Sequence, residues 1–172
     1  MMPLLSITTV HRPRPPARGA GAVCLGLMLL LLWGPAHGPS WAGQAQKVAW
    51  LSYQKALEAR QESPRPLVIF FHAPWCYMCR KMKRRVFSRK EVWEVLNRSF
   101  LPVGVDVTRQ PRLKEEFKVS GLPTMIFLNA QGKPVLRLHG YVARDKLLAA
   151  LEYVQKRRYR QLSWEKFLET RP

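Results

Sequence analysis

The sequence predicts one α/β domain built around a mixed sheet. Three observations carry this. "LVIFFHA" at 67–73 is a continuous apolar run of strand length, as expected of a central strand covered on both faces. "ARDKLLAALEYVQKRR" at 143–158 is an amphipathic helix, with Leu147, Leu148, Leu151 and Val154 on one side. Segments 124–128 and 134–139 are two strands joined by the Gly-containing turn "NAQG", and therefore a hairpin.

The remaining elements follow in chain order. Residues 44–60 place Val48, Leu51 and Leu57 among polar residues, which predicts a helix that "ESPRP" at 62–66 ends. The strand at 67–73 stops at Pro74. From Cys76 to Phe87 the pattern turns helical, with Met78, Met82 and Val86 spaced for one face. Ser88 with Glu91 has the form of a capping box opening a further helix, "KEVWEVLNRSF". "LPVGVDV" at 101–107 is the next strand, and a short helix is expected around "PRLKEEFKV". The order is helix, strand, helix, strand, helix, strand, strand, helix. No internal repeat or low-complexity segment follows residue 43.

With 172 residues, 47% of them apolar and 10% aromatic, the chain can bury one real core and carry a targeting segment besides. Net charge is +18, from 29 Lys+Arg against 11 Asp+Glu. Such a surface attracts polyanions, anionic lipid and acidic protein faces alike.

The compartment narrows that choice. Residues 1–42 read as a secretory signal: His11, Arg12, Arg14 and Arg18 in an acid-free n-region, then the apolar run "AGAVCLGLMLLLLW" at 20–33. At 14 residues the run is shorter than the ~20 a membrane span needs. An uncleaved N-terminal anchor is the alternative. Ser40 and Ala42 supply small residues for cleavage before Gly43, and Gly34-Pro35-Ala36 offers a second site. Cys24 would leave with the signal, so the mature chain keeps two cysteines, Cys76 and Cys79, and a net charge of +15. An exported protein meets little nucleic acid, so no nucleic-acid partner is expected. The terminal "LETRP" is not an ER-retention signal, and a bacterial periplasm is the expected location.

Two cysteines three apart close almost no loop, so they make a poor structural staple. Structural zinc needs about four nitrogen or sulfur ligands, and His11, His37, His72 and His139 have no ligand spacing. Haem attachment needs a histidine at residue 80, which is Arg. Reversible redox remains. At a helix N-terminus, unpaired N–H groups and the helix dipole favour the thiolate of Cys76. Cys79, on the same face, can close a disulfide with it. Cys76 is thus the expected nucleophile and Cys79 the resolving thiol, with no metal and no organic cofactor. Arg80, Lys81, Lys83, Arg84 and Arg85 add positive potential, although for most of them a solvated helix face is the plainer reading.

A strand ending in "APWCYMC", then "GLPT" with its proline 44 residues after Cys79, resembles the thioredoxin superfamily. The resemblance covers about residues 46–156 and implies a thioredoxin fold. It also implies a cis peptide bond at Leu122-Pro123, lying against the dithiol, with the Leu122 backbone free to pair with a substrate strand. Trp75, Tyr77 and Met78 would then line the docking surface with Leu122 and Pro123. The longer run "WCYMCRKMKRRVFSRKEVWEVLNRSFLPVGVDVT" is similar to the C-terminal thioredoxin-like domain of the bacterial membrane reductant transporter and to single-domain periplasmic relatives. These relatives reduce protein disulfides or keep periplasmic thiols reduced. The resemblance divides the chain into a signal (1–42), a thioredoxin-like domain (43–157) and a C-terminal helical extension (158–172), which could also cover a sheet edge.

Thioredoxins usually carry a buried acid six residues before the first cysteine, and here that residue is Phe70. His72, two residues on and on the same strand face, could tune the dithiol, or its ring could simply pack beside Trp75. The expected function is an exported thiol–disulfide oxidoreductase reducing protein disulfides, supplied by a membrane-linked thiol donor. An oxidase or isomerase would use the same residues. A non-catalytic adaptor or chaperone with a basic docking face is the rival from another class, and a membrane-surface role for "QKRRYR" is a further one.

Overall fold

A computed structural model of the chain describes residues 47–171. The expected signal, Cys24, both cleavage positions and the start of the first expected helix lie outside the described residues. Among the described residues six helices and four strands run in the order α1 (Tyr53–Glu62), β1 (Leu67–His72), α2 (Tyr77–Arg85), α3 (Lys90–Ser99), β2 (Leu101–Asp106), α4 (Pro111–Glu116), β3 (Thr124–Leu128), β4 (Pro134–His139), α5 (Arg144–Gln155) and α6 (Trp164–Glu169). A single 3₁₀ turn, Arg158–Arg160, joins the last two.

The sheet order is β2-β1-β3-β4. β1 is parallel to β2, from Leu67↔Leu101 to His72↔Asp106, and antiparallel to β3, which is antiparallel to β4. Leu67 to Phe71 are fully buried, as a strand with neighbours on both edges and helices on both faces must be. Side chains alternate between the faces. Phe70 meets Trp50 and Phe87 on one; Phe71 meets Phe117, itself against Tyr53, on the other.

The first expected helix begins later than its pattern suggests. Leu51 instead forms a parallel bridge to Val103: its N–H donates to Pro102 O at 2.8 Å, and its carbonyl accepts from Gly104 N at 3.1 Å. An edge strand leaves backbone groups that need partners, and satisfying those of β2 outweighs a weak local preference for helix. Ser52 then caps α1, its Oγ accepting from Lys55 N at 3.3 Å.

Two further local expectations are corrected. Ser88 does not cap α3: its hydroxyl donates to Arg84 O at 2.7 Å, completing the end of the preceding helix, and Arg89 takes the cap position without a side-chain bond. The buried face of α2 consists of Cys79 and Met82, continued by buried Val86 just past its end, while Met78 lies exposed beside the disulfide. The hairpin turn forms as its residues imply. Asn129 Oδ1 accepts from Gln131 N and Lys133 N, and Gly132 adopts φ +82°. The tail covers α5 rather than a sheet edge: Trp164 and Phe167 close around Tyr153, whose hydroxyl donates to Leu162 O at 2.7 Å. Among the described residues no helix is long and apolar enough to cross a membrane.

Candidate functional site

β1 delivers the chain to the site. Past His72 the backbone turns through Ala73, Pro74 and Trp75, with Cys76 N donating to Ala73 O at 3.2 Å. Cys76 occupies the N-cap of α2, where backbone N–H groups lack intrahelical partners. One of them, Cys79 N–H, donates to Cys76 Sγ at 3.1 Å. Cys76 and Cys79 are joined as a disulfide with their Cα atoms 5.3 Å apart. Cys76 keeps 6% of its surface and Cys79 1%. An attacking partner therefore meets Cys76 first.

The Leu122-Pro123 peptide bond is cis. Thr124 opens β3 opposite Phe71, near the end of β1, so Pro123 lies at the same end of the sheet as the disulfide. Thr124 Oγ1 donates to Gly121 O at 2.8 Å and Pro123 O accepts from Gly140 N at 2.8 Å, which ties this loop to the end of β4. Pro123 is buried and Leu122 half-buried.

Around the disulfide the surface is apolar where a surface ought to be polar. Trp75 is 69% exposed, and Tyr77 and Met78 are exposed beside it. Sequence reasoning missed Tyr141, the exposed ring just past Gly140. Lys81 Nζ lies 4.9 Å above that ring, and Arg80 Nη1 donates to Pro74 O at 2.6 Å. The signal available was position alone: Tyr141 follows the hairpin that brings its end beside Pro123.

Phe70, where an acid was looked for, is sealed in an aromatic cluster with ring centroids 4.9 Å from Phe87, 5.4 Å from His72 and 5.7 Å from Trp50. His72 stacks on Phe70 rather than beside Trp75, and its Nδ1 lies 3.4 Å from Lys83 Nζ. Burial first, then the Lys83 charge, pushes the His72 imidazole down, while Asp106 pulls the other way. Burial likewise lowers Lys83. Both side chains line a cleft of about 340 Å³ that also takes in Trp50, Phe70 and Gln110. Among the described residues no group of three or more His, Cys, Asp or Glu is placed to hold a metal ion.

The arrangement is a helix-capping cysteine joined to a more deeply buried one, framed by a proline loop and exposed aromatics. Thiol–disulfide exchange is the chemistry it can perform. The chain is 35% identical over 112 residues to "Thiol:disulfide interchange protein DsbD" of Vibrio cholerae, matching 61% of this chain and 18% of that protein. It is 30% identical over 106 residues to "Disulfide bond reductase DsbH" of Chlamydia pneumoniae, matching 55% of this chain and 64% of that one. In both cases it spans less than two thirds of the relative's length. Among solved structures it is similar to the C-terminal domain of DsbD from Neisseria meningitidis in its oxidised form, at 25% identity and a TM-score of 0.51, over 62% of this chain and 99% of that domain. A model of the thioredoxin-like domain matches residues 53–155, from the first residue of α1 to the last of α5, so this chain belongs to the thioredoxin-like domain family.

Proposed function

We propose that this protein is an exported thiol–disulfide oxidoreductase that reduces disulfides in other proteins. The observation that carries the reading is the Cys76–Cys79 disulfide at the N-terminus of α2, at the same end of the sheet as the cis-proline loop. In the reduced protein the Cys76 thiolate attacks one sulfur of a client disulfide and expels the other as a thiolate. Cys79 loses its proton and attacks Cys76 Sγ, which releases the second client sulfur. Two electrons and two protons pass to the client, and the Cys76–Cys79 disulfide re-forms. Trp75, Tyr77 and Met78 supply an apolar seat, and the Leu122 backbone pairs with the client strand. Such a cycle needs a thiol donor to restore the dithiol. The signal-like N-terminus and the DsbD and DsbH relatives support a periplasmic location with a membrane-linked donor.

The reduction potential of the couple tests the direction, read by alkylation trapping across glutathione buffers. A value near about −270 mV supports the reductase, and one near about −120 mV reverses it to a disulfide donor. A Cys76→Ala, Cys79→Ala double variant with full activity in cells would end the redox reading altogether.

A further inference from the structure

The two segments that build the site contain no carboxylate. Residues 63–90 carry β1, the cysteines and α2; residues 117–144 carry the proline loop, the hairpin and Tyr141. Neither has an Asp or a Glu. Among the described residues none of the five cations of α2, Arg80, Lys81, Lys83, Arg84 and Arg85, forms an ion pair. Carboxylates elsewhere near this end of the sheet are already engaged. Asp106 accepts from Thr108 N and Thr108 Oγ1, while Asp145 and Glu91 both hold Arg144.

Lys83, Arg84 and Arg85 lie in the last turn of α2, where cations complement the helix dipole. Arg80 and Lys81 do not. They directly follow Cys79 as the fourth and fifth of the nine residues of α2, outside the last turn where the dipole favours a cation. Helix electrostatics therefore gives no account of these two. Their geometry ties them to the site instead. Arg80 is braced on Pro74 O beside exposed Trp75, and Lys81 stands over exposed Tyr141 on the side of the proline loop.

We propose that the disulfide this protein exchanges is presented on an acidic protein segment, with Asp or Glu within a few residues of the reacting cystine. This inference rests on the exchange function proposed above and names the client that function selects. The apolar part of the segment lies between Trp75 and Tyr141, and its carboxylates meet Arg80 and Lys81. Unpaired cations at the rim of an apolar seat raise the encounter rate of such a client and repel basic ones.

The test uses three cystine peptides, identical except that the residues flanking the cystine are Glu, Gln or Lys. Each is mixed with the fully reduced protein, and the exchange rate is followed by tryptophan fluorescence. At low ionic strength the Glu peptide should react about tenfold faster than the Lys peptide, with Gln between them. The gap should close in about 1 M salt, where the screening length is about 3 Å. An Arg80→Gln, Lys81→Glu protein should lose most of the preference, whereas Arg158→Glu, a charge reversal on the far 3₁₀ turn, should keep it. Equal rates for the three peptides overturn the inference and leave the exchange function standing. So does a preference that Arg158→Glu erases as fully as the site variant, since overall charge would then explain it. Reaction with none of the peptides sinks the exchange function, and the inference with it.

Discussion

The backbone N–H of Cys79 donates to Cys76 Sγ at 3.1 Å, and of the two sulfur-bearing residues Cys79 is the more deeply buried. The amide is held in place by the helix whether or not the sulfurs are joined, so it remains available to a thiolate at position 76. It is one of the unpaired donors at a helix start, which favour negative charge there. Cys76 should therefore be alkylated well before Cys79 when the reduced protein meets iodoacetamide under native conditions, read by mass spectrometry of partly labelled chains. A Cys79→Ser protein should accumulate mixed disulfides with clients, and Cys76→Ser should not. Equal labelling of both residues would contradict the assignment of roles.

Trp75 is almost free of packing partners, so its value lies outside the fold. Trp75→Ala should leave the urea unfolding midpoint nearly unchanged, within about 0.5 kcal/mol of stability. The loss of an aromatic contact worth about 0.5–1.5 kcal/mol should lower kcat/KM for a protein disulfide by roughly two- to tenfold. A large fall in stability with unchanged exchange would make Trp75 a structural residue.

Phe70 separates this site from one with a buried acid. Its ring is fully buried, packed against Trp50, Phe87 and His72. Phe70→Ala should cost about 3–5 kcal/mol in urea unfolding, by lost transfer energy and a residual cavity. Phe70→Asp should also be destabilising, because it gives up the ring's packing and buries a carboxylate, a cost that Lys83 Nζ, 6.0 Å from the ring centroid, offsets only in part. A Phe70→Asp protein as stable as the parent would show that the cluster opens easily to water.

His72 gives stability an acid-side dependence. Its imidazole is held below its ordinary 6.5, chiefly by burial and then by Lys83. As pH falls below that value the unfolded chain binds a proton that the folded protein resists, so stability is lost between about 6.5 and the lower folded value. Asp106, depressed from its ordinary 3.8 chiefly by the Thr108 hydroxyl, loses its contribution only at more acid pH, and the two effects separate. Between pH 7 and 5 the urea midpoint of the parent should therefore fall more than that of His72→Phe. If His72 also tunes the dithiol, the same variant will shift the pH profile of exchange. An unchanged profile would confine the residue to packing.

The strands and the dithiol were readable because both are written in short windows. β1, β3 and β4 are uninterrupted or bounded apolar runs, and Cys76, Cys79 and Pro123 fall at fixed spacings. What escaped depends on partners far along the chain. Val48 and Leu51 sit at a helical spacing, yet Leu51 pairs with β2 some fifty residues later, and Trp50 lies over Gly104. Ser88 and Glu91 match a capping pattern, but the hydroxyl finds the Arg84 carbonyl one turn back. Tyr141 joins the site only because the hairpin carries it to Lys81, sixty residues away.

The tail gives the sharpest separation of stability from function. α5 starts just after β4 at the site end of the sheet. It finishes where Gln155 Nε2 donates to Ser99 Oγ, beside the start of β2 and so at the opposite end from the disulfide. Trp164 and Phe167 bury Tyr153 there, and Leu162 O satisfies its hydroxyl. Ending the chain after Lys156 exposes Tyr153 and removes the acceptor together, so urea unfolding should lose about 2–4 kcal/mol. Tyr153→Phe, which keeps the ring and deletes only the hydrogen bond, should lose about 1 kcal/mol. Neither change touches the other end of the sheet, so under conditions where both proteins stay folded the Cys76–Cys79 potential and the exchange rate should match the parent. A truncated protein that is fully stable would mean the tail merely rests on α5, and one that is stable but slow to exchange would place the tail in client binding.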